Sequence, residues 1–460
     1  MNAFYIYKTN KELRYSAQQV IENTEKIFLI DSNKKVNEED IISINENCYD
    51  IINNDFYAMI IIDKNTKDII VSYGIFSYCH SLYYYVSNNK VYVNISLHDL
   101  LNEIKIKPTL DKYNVNKFVD NGFVRGSGTL IKEIKKVPSL KTVIFKNNTI
   151  ESINSSYINK KGAQTYVHNL RLALPSKDTK ILLPLSGGYD STLLAYLIKD
   201  YKDKLAFTVG SKKYKSSSEL INANKTSSYL KIPQHEIFSS DEWIESLPKI
   251  VDVMEGEMFD IGVFLCYFLI DEIKKLDLNN CMFITGDGAD QVLNKNFYTE
   301  DLDKLPKYNR HNDYFLNKYP KHFFYYLIVK KIEWLLRLNN IDYATPFISK
   351  EFCDFAKKTT FTETKEEYKR FVKAYVPNVI SNSLLKRGGL VHERYFVSKE
   401  INNKFLEILD MPKYKELFVN DKTTDDLRQI IYKMYIVFFN YIFIENKSIN
   451  MEFNKILNNV

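Results

Sequence analysis

Residues 180–198 read KILLPLSGGYDSTLLAYLI, and this stretch decides the fold. An apolar run ends abruptly at Ser186-Gly187-Gly188, and apolar positions with helical spacing resume after Ser191. The pattern therefore predicts a strand, a tight glycine loop and a helix. Such a loop exposes backbone N–H groups at the positive end of a helix dipole, which favours binding of a phosphate. No lysine follows the glycines, so this is not the GxxxxGK[ST] loop of common nucleoside triphosphatases.

The same alternation of strand and helix continues downstream. The runs KLAFTVG (204–210) and CMFITG (281–286) are apolar strands separated by long helical segments, which predicts a parallel sheet with crossover helices. Helical patterns dominate after residue 310, including residues 322–338. The first part of the chain differs, because short β-branched and aromatic runs there predict packed antiparallel sheets. Those runs are residues 55–63, 67–76, 81–89, 90–96 and 141–150.

Length and composition bound the class of protein. A chain of 460 residues with 45% apolar and 26% charged residues can form two or three domains, taking roughly 150 residues per domain. A seam near SYINKKGAQTY (156–166) predicts domains 1–160 and 161–460. The net charge of +6 is spread along the chain, which favours solvated lysine faces over a nucleic-acid surface.

Cysteines and apolar runs indicate the compartment. Five cysteines lie far apart without a CxxC pair, which is typical of a reducing compartment without disulfides or structural zinc. The first residues carry no signal-peptide pattern, and the longest apolar run, IGVFLCYFLI (261–270), is too short to span a bilayer. We therefore expect a cytoplasmic protein that binds neither nucleic acid nor membrane.

Two loops follow strands of the predicted parallel sheet, PLSGGYDS (184–191) and ITGDGADQ (284–291). Ligands of open parallel sheets bind beyond the carboxyl ends of the strands. We expect Asp190 and Asp290 to converge there on one Mg²⁺ that bridges nucleotide phosphates, because this hard cation prefers carboxylate oxygens. A single Gly-Gly-x-Asp also occurs in simple turns, but two such loops on one sheet favour a nucleotide site.

These motifs resemble those of the asparagine synthetases. SGGYDS is similar to the pyrophosphate loop of N-type ATP pyrophosphatases, and TGDGADQ is similar to the family segment SGEGADE. The resemblance implies an α/β + α+β fold, with an N-terminal Ntn-hydrolase-like αββα sandwich followed by a parallel-sheet ATP-pyrophosphatase (PP-loop) synthetase domain. It continues through residues 52–74, 122–148, 207–210 (FTVG), 254–260 (MEGEMFD) and 343–356 (YATPFISKEFCDFA).

The resemblance also implies a reaction. A substrate carboxylate attacks the α-phosphorus of ATP, pyrophosphate leaves, and an amine converts the acyl-adenylate to an amide. Lys386, one residue off the family spacing, would stabilise charge in the second step, and Arg387 beside it is the alternative. ATP would be bound by Ser186, Gly187, Gly188, Asp190, Ser191, Val209, Gly210 and Gly286, with Asp190 and Asp290 on Mg²⁺.

The N-terminus departs from the family. Glutamine-using members carry a nucleophilic cysteine at position 2, whereas this chain begins Met1-Asn2-Ala3 and has no cysteine before Cys48. An asparagine amide is not a nucleophile. We therefore expect the first domain to be an inactive glutaminase relic.

The synthetase motifs depart as well. Asp287 stands where the family has glutamate and Gln291 where it has a final acid, and Asp287 is expected to serve the nucleophile as its base or its guide. In DYATPF, Ala344 stands where the family has arginine, so amino-acid recognition as in asparagine synthetase is not expected. LVHER (390–394) is similar to a GVHEG stretch of β-lactam synthetases.

Together these departures favour a ligase that closes a ring within one substrate. Lasso-peptide cyclases and β-lactam synthetases are relatives of this kind, and Asp287 favours the cyclases because β-lactam synthetases resemble each other in a tyrosine there. The substrate would be a precursor peptide or a small amino acid, and a leader-peptide protease and a leader-binding protein are further partner candidates. An ammonia-dependent synthetase and a non-catalytic ATP sensor remain as alternatives, the latter disfavoured by the intact phosphate loop and both aspartates.

Overall fold

The computed structural model describes most of the chain, in segments, and divides it into two compact units. Unit 1 comprises Met1–Ile158, Leu247–Phe259 and Asn403–Val460, and unit 2 comprises Asn159–Ser246 and Asp260–Asn402. The described residues are 4–8, 12–32, 56–73, 81–87, 90–124, 126–138, 141–146, 149–154, 165–211, 218–239, 241–257, 261–276, 281–293, 323–358, 366–382, 384, 397–418, 426–450 and 453–459.

Unit 1 contains two antiparallel sheets over its described residues, as the sequence predicts. The five-stranded sheet has the order β2-β1-β8-β7-β9, and the six-stranded sheet has the order β11-β10-β6-β5-β4-β3. Their strands are β1 (Tyr5–Lys8), β2 (Leu13–Ser16), β3 (Gln19–Glu22), β4 (Lys26–Ser32), β5 (Phe56–Asp63), β6 (Ile69–Tyr73), β7 (Tyr83–Ser87), β8 (Lys90–Asn94), β9 (Lys135–Lys136), β10 (Lys141–Phe145) and β11 (Ile150–Asn154).

The middle of the six-stranded sheet is covered on both faces. Successive side chains of a strand point to opposite faces, yet Ile60, Ile61 and Ile62 of β5 are all buried. Apolar residues therefore pack on each side of this sheet, as in a layered domain. The sequence predicted β5 to β8 and β10 but no strand before β5, where β1 to β4 lie.

Helices of unit 1 include one from a distant part of the sequence. The helices are α1 (Leu97–Ile104), α2 (Lys112–Asn121), α6 (Leu247–Met254), α14 (Pro412–Lys415), α15 (Leu427–Phe439) and α16 (Phe453–Asn459), and α13 (Lys399–Asp410) carries the chain back from unit 2. The segment 247–259 that contains α6 is flanked in sequence by unit 2 on both sides. The prediction that residues 1–160 form a glutaminase-like domain stays a prediction.

Buried polar contacts anchor that segment within unit 1. The carboxylate of Glu257 forms an ion pair with Lys136 and accepts a hydrogen bond from the hydroxyl of Ser81 at 3.0 Å. The carboxylate of Glu255 accepts a hydrogen bond from the backbone N–H of Leu97 at 2.9 Å, at the positive end of α1. The Tyr435 hydroxyl donates to the backbone carbonyl of Glu257 at 3.2 Å. These contacts offset the cost of burying two carboxylates.

Unit 2 is built on a five-stranded parallel sheet with the order β14-β13-β12-β15-β16. Its strands are β12 (Lys180–Pro184), β13 (Lys204–Ser211), β14 (Gln234–Ser239), β15 (Cys281–Ile284) and β16 (Asp342–Ala344). The accompanying helices are α3 (Tyr166–Leu172), α4 (Tyr189–Leu197), α5 (Ser218–Leu230), α7 (Gly262–Lys275), α8 (Ala289–Leu293), α9 (Phe323–Leu338), α10 (Lys350–Lys358), α11 (Glu366–Tyr375) and α12 (Asn378–Ser381).

The strand order creates one position suited to a ligand. From β12 the chain moves outward through β13 to β14, and it then returns to the other side of β12 as β15. The connections from β12 and from β15 therefore leave in opposite directions, which opens a crevice at the carboxyl ends of these two strands. Both glycine loops predicted to bind ATP follow these two strands.

The predicted parallel sheet is confirmed, and the structure adds two edge strands that the sequence did not predict. The runs 180–185, 204–210 and 281–286 form β12, β13 and β15, and the helical pattern of 322–338 forms α9. The edge strands β14 and β16 were missed because neither carries a long apolar run. In the described part of the chain, no helix is both long enough and apolar enough to cross a membrane.

Glu255→Gln tests the cost of the buried carboxylate in unit 1. Burial raises the pKa of Glu255 from its ordinary 4.5 to about 7, so the folded protein holds this proton more tightly than the unfolded chain does. The stability that protonation of Glu255 contributes to the folded state is therefore fully present below pH 4.5 and is lost as the pH rises toward 7.

We expect urea unfolding between about pH 4 and about pH 8 to detect this loss in the wild type, on the order of 3 kcal/mol. Glu255→Gln should fall below the wild type by a larger margin at the acid end than at neutral pH, where the difference should shrink or reverse, because glutamine does not titrate. The exposed Glu407→Gln serves as control. Parallel pH profiles for wild type and Glu255→Gln would contradict the assignment.

Candidate functional site

The first loop of the site joins β12 to α4. Gly188 is the N-cap of α4, and no side chain caps that helix end. The loop is braced from within, since the backbone N–H of Ser186 donates to the Ser191 hydroxyl at 3.2 Å and the two serine hydroxyls share a hydrogen bond at 3.0 Å. The helix end is thus held in place, and among the described residues no side-chain cap occupies it, which suits the binding of an anion.

Gly187 is required by the shape of this loop. Its φ of 72° lies in the left-handed region, where side chains are strained. A Cβ added here would lie 2.6 Å from the carbonyl oxygen of Glu219 and 2.7 Å from the backbone nitrogen of Ala223. Both atoms belong to α5, so the first loop is pressed against the backbone of this helix. Glycine is the residue type that the position accepts.

The second loop joins β15 to α8 and touches the first. A Cβ at Gly286 would lie 3.3 Å from the Cβ of Asp190 and 3.4 Å from the backbone nitrogen of Ser191. This loop is also braced, because the Thr285 hydroxyl donates to the Asp287 carboxylate at 2.6 Å and accepts from the backbone N–H of Asp287 at 3.2 Å. The two glycine loops therefore meet at the crevice between β12 and β15.

The carboxylates of Asp190 and Asp290 both affect the pKa of one buried tyrosine. Each lies in the first turn of the helix that follows its loop, and each is half-buried. Tyr368 of α11 is fully buried, and burial, followed by the negative charges of Asp190 and Asp290, raises its pKa well above the usual value. Both carboxylates therefore lie near one side chain, although the chain separates them by about 100 residues.

This donor set fits Mg²⁺ bound together with nucleotide phosphates. Mg²⁺ is usually held by one or two carboxylates plus phosphate oxygens and water, and two aspartates beside an uncapped helix end supply the protein's share. Among the described residues, no group of three or more His, Cys, Asp or Glu side chains could hold a metal ion alone. A metal at this position would therefore depend on the nucleotide for further ligands.

Glu333 is a site residue that sequence reasoning missed. It lies on α9, is 1% exposed, and accepts a hydrogen bond from the Thr345 hydroxyl at 3.2 Å. Burial raises the pKa of Glu333 to about 8, and the negative charge of Asp287 adds to the effect. In KKIEWLLRL the glutamate reads as a solvated residue between lysines and an arginine, so no signal in the sequence identified it.

The remaining predicted site residues fall into two groups. Val209 and Gly210 lie at the carboxyl end of β13, beyond the pair Pro184↔Phe207 and so at the same sheet edge as Ser186. That Val209 and Gly210 bind ATP stays a prediction. Outside the described residues lie Asn2, Lys386, Arg387 and residues 390–394, and the side chain of Gln291.

Comparisons with known proteins agree with the family resemblance. Residues 170–324 match the family model described as Asparagine synthase. Asparagine synthetase [glutamine-hydrolyzing] 1 of Bacillus subtilis is 28% identical over 243 residues, which cover 49% of this chain and 37% of that protein. The match thus spans little more than a third of the curated relative's length. Residues 170–324 are therefore similar to the asparagine synthase family, and the amide-forming activity that the resemblance implies stays a prediction.

Among solved structures, an NH3-dependent NAD synthetase from Campylobacter jejuni aligns with 62% of this chain and 94% of its own. The identity is 14% and the TM-score is 0.24.

Gly187→Ala tests the geometry of the first loop. The added methyl group would meet α5 backbone atoms in a strained backbone conformation, so we expect a loss of about 2 kcal/mol or more in the free energy of unfolding. Gly188→Ala is the matched control, because Gly188 has a φ of −83° and its nearest contact would be Ser186 Oγ at 3.4 Å. Urea unfolding measures both. Equal losses in the two variants would contradict the loop geometry.

Proposed function

We propose that this chain, whose residues 170–324 match the asparagine synthase family, is an AMP-forming ligase that makes an amide bond at the expense of ATP. The observation that carries the proposal is the contact of the two glycine loops, with Gly286 against Asp190 at the crevice between β12 and β15. One loop presents an uncapped helix end to phosphate, and each loop is followed by an aspartate.

ATP would lie with its pyrophosphate half against the first loop. Backbone N–H groups of Gly187 and Gly188 and the hydroxyls of Ser186 and Ser191, which lie at the N-terminal end of α4, would donate to the phosphates. Asp190 and Asp290 would hold Mg²⁺, which when bound supplies positive charge to the phosphates. No lysine is needed in the loop under this arrangement.

The chemistry follows in two steps. A substrate carboxylate oxygen attacks the α-phosphorus, the bond from that phosphorus to the bridging oxygen breaks, and pyrophosphate leaves with the electron pair. An amine then attacks the acyl carbon, a carbon–nitrogen bond forms, and AMP leaves. Asp287, in the second loop and half-buried, is the protein carboxylate we assign to the amine.

We favour an amine that belongs to the same molecule as the carboxylate. Asn2 in place of a nucleophilic cysteine supports this, since no ammonia would come from glutamine, and Asp287 in place of glutamate supports a different nucleophile. Effective molarities of intramolecular reactions reach on the order of 10⁵ M, so a tethered amine needs no delivered ammonia. A lasso-type peptide cyclase is the member of this class that we propose, with β-lactam-type closure of a small amino acid as the variant.

An ammonia-dependent ligase is the second candidate. It is favoured by the similarity of this chain to a Bacillus subtilis asparagine synthetase over 243 residues. In that case unit 1 would likewise be an inactive glutaminase relic, and ammonium from solution would supply the nitrogen. The two candidates share the ATP chemistry and differ in the source of the amine.

ATP cleavage between the α and β phosphates is the first expected outcome. Incubated with Mg²⁺ and a panel of amino acids and peptides with free carboxylates, the protein should convert ATP to AMP and pyrophosphate, measured by anion-exchange chromatography. Asp190→Asn and Asp290→Asn should each lower turnover at least about 100-fold. A Mg²⁺ ion held by a single carboxylate would leave the negative charge of the phosphates poorly neutralised. The exposed Asp200→Asn should retain it. ADP as the main product would contradict the proposal.

The source of the nitrogen separates the two candidates. Ring closure lowers the mass of the substrate by one water and leaves no label from ammonium in the product, because the attacking nitrogen is already in the molecule. Mass spectrometry of products formed in ¹⁵N-ammonium measures both the change in mass and the isotope content. Incorporation of ¹⁵N into a product amide would contradict ring closure and favour the ammonia-dependent ligase.

A further inference from the structure

A threonine outside the two glycine loops is hydrogen-bonded to the backbone at the start of the first loop. Thr208 of β13 is 2% exposed, and its hydroxyl donates to the backbone carbonyl of Leu185 at 2.8 Å. The N–H of Leu185 continues the pairing of β12 with β13, because it donates to the carbonyl of Phe207 at 2.7 Å. The contact of Thr208 therefore lies where β12 ends and the first loop begins.

The direction of this hydrogen bond is fixed by a neighbour of Thr208. The side-chain nitrogen of Gln234 donates to the Thr208 hydroxyl oxygen at 2.7 Å. A hydroxyl group has one proton, which therefore remains for the carbonyl of Leu185. The same nitrogen of Gln234 donates to the side-chain oxygen of Asn224 at 2.6 Å, and the Gln234 side-chain oxygen accepts the hydroxyl of Ser227. Three hydrogen bonds thus hold the Gln234 amide in one orientation.

A carboxylate at the far end orients the second amide. The side-chain nitrogen of Asn224 donates to the carboxylate of Glu236 at 2.9 Å. An ionised carboxylate only accepts hydrogen bonds, so Asn224 turns its nitrogen toward Glu236 and its oxygen toward Gln234. Four side chains therefore form one hydrogen-bond chain, from Glu236 through Asn224 and Gln234 to Thr208, and its last member donates to the backbone of Leu185.

The peptide between Leu185 and Ser186 is held at both of its polar groups. In a trans peptide the carbonyl oxygen and the following N–H point in opposite directions within one plane. Thr208 donates to the oxygen on one side, and the Ser191 hydroxyl accepts the N–H of Ser186 at 3.2 Å on the other. Rotation of this plane would break both hydrogen bonds. The first loop therefore leaves β12 in one fixed direction.

We propose that Thr208, oriented by Gln234, is a positioning residue for the binding of phosphate by the first loop. Successive backbone N–H groups bind an anion when they point toward the same side of the loop. A rotated plane at the start of the loop would turn the groups that follow it away from that side. Thr208 thus acts through the backbone, and the identity of the anion as the pyrophosphate half of ATP rests on the proposed ligase function.

Thr226 of α5 provides a matched control. Like Thr208 it is a buried threonine of unit 2, and it is 1% exposed. Its hydroxyl has no hydrogen-bond partner among the described residues. Valine at either position keeps the branched shape and removes one hydroxyl. The two variants therefore differ in whether a hydrogen bond to the first loop is lost.

Amide hydrogen exchange measures how firmly the loop is held without any ligand. In the full chain we expect Thr208→Val to speed exchange in residues 185–191 by about 5-fold or more, because the first peptide plane of the loop loses one of its two hydrogen bonds. Thr226→Val should leave this exchange unchanged. Thr208→Ser retains a hydroxyl and should restore most of the wild-type protection. Mass spectrometry of proteolytic peptides that cover the loop gives the rates.

Binding of magnesium pyrophosphate measures the consequence for the site. By isothermal titration calorimetry, we expect Thr208→Val to bind about 5- to 10-fold more weakly than wild type and Thr226→Val, with Thr208→Ser close to wild type. Gln234→Glu provides a second test if Thr208→Val does not fold. The new carboxylate would accept the Thr208 proton and withdraw it from Leu185, so binding should weaken to a similar extent.

The outcomes separate the role of Thr208 from the ligase function. Unaltered pyrophosphate binding or unaltered loop exchange in Thr208→Val would overturn the positioning role, and the ligase function would stand as long as the wild type binds. Failure of the wild type to bind magnesium pyrophosphate would contradict both. Pyrophosphate binding that depends on Thr208, in a protein that never forms AMP, would contradict the ligase function and support the role of Thr208.

Discussion

The close approach of Gly286 to Asp190 is the contact on which the candidate site depends. A methyl group on Gly286 would lie 3.3 Å from the Asp190 Cβ, which is tighter than most Cβ contacts, so the two loops are in close contact at this glycine. Neither loop alone makes a metal or nucleotide site. Their contact follows from the strand order, because β12 and β15 are neighbours in the sheet although about 100 residues separate them in sequence.

Much of this arrangement could be predicted from the sequence. The strands β12, β13 and β15 are short apolar runs, and the glycines after β12 and β15 require loops whatever the tertiary structure. The edge strands were not predictable in this way, since β14 reads QHEIFS and β16 has three residues. Their pairing comes from neighbouring strands rather than from their own pattern.

Tertiary contacts account for the rest of what sequence reasoning missed. Glu333 stands among charged residues in the sequence, and its burial depends on how α9 packs beside β16. The segment 247–259 reads as part of the second domain, but its acids contact Ser81, Leu97 and Lys136 in unit 1. Contacts between such distant residues leave no periodic signal in the chain.

Three buried glutamates illustrate how the protein manages carboxyl groups. Glu257 has a lysine partner, and Glu255 accepts the backbone N–H of Leu97 at the start of α1, so the carboxyl groups of both have partners in unit 1. Glu333 differs, because one of its oxygens has no partner among the described residues and the nearest charge acting on it is negative. Sites that bind a substrate commonly retain such uncompensated groups, which a ligand then satisfies.

The central claim is that the two glycine loops hold one metal ion and the nucleotide phosphates between them. A crystal structure with Mn²⁺ and α,β-methylene ATP, recorded at the manganese absorption edge, tests it most directly. The account predicts an anomalous peak that contacts carboxylate oxygens of both Asp190 and Asp290, with the phosphates against the N-terminus of α4. A nucleotide bound elsewhere, or a metal ion on neither aspartate, would contradict it.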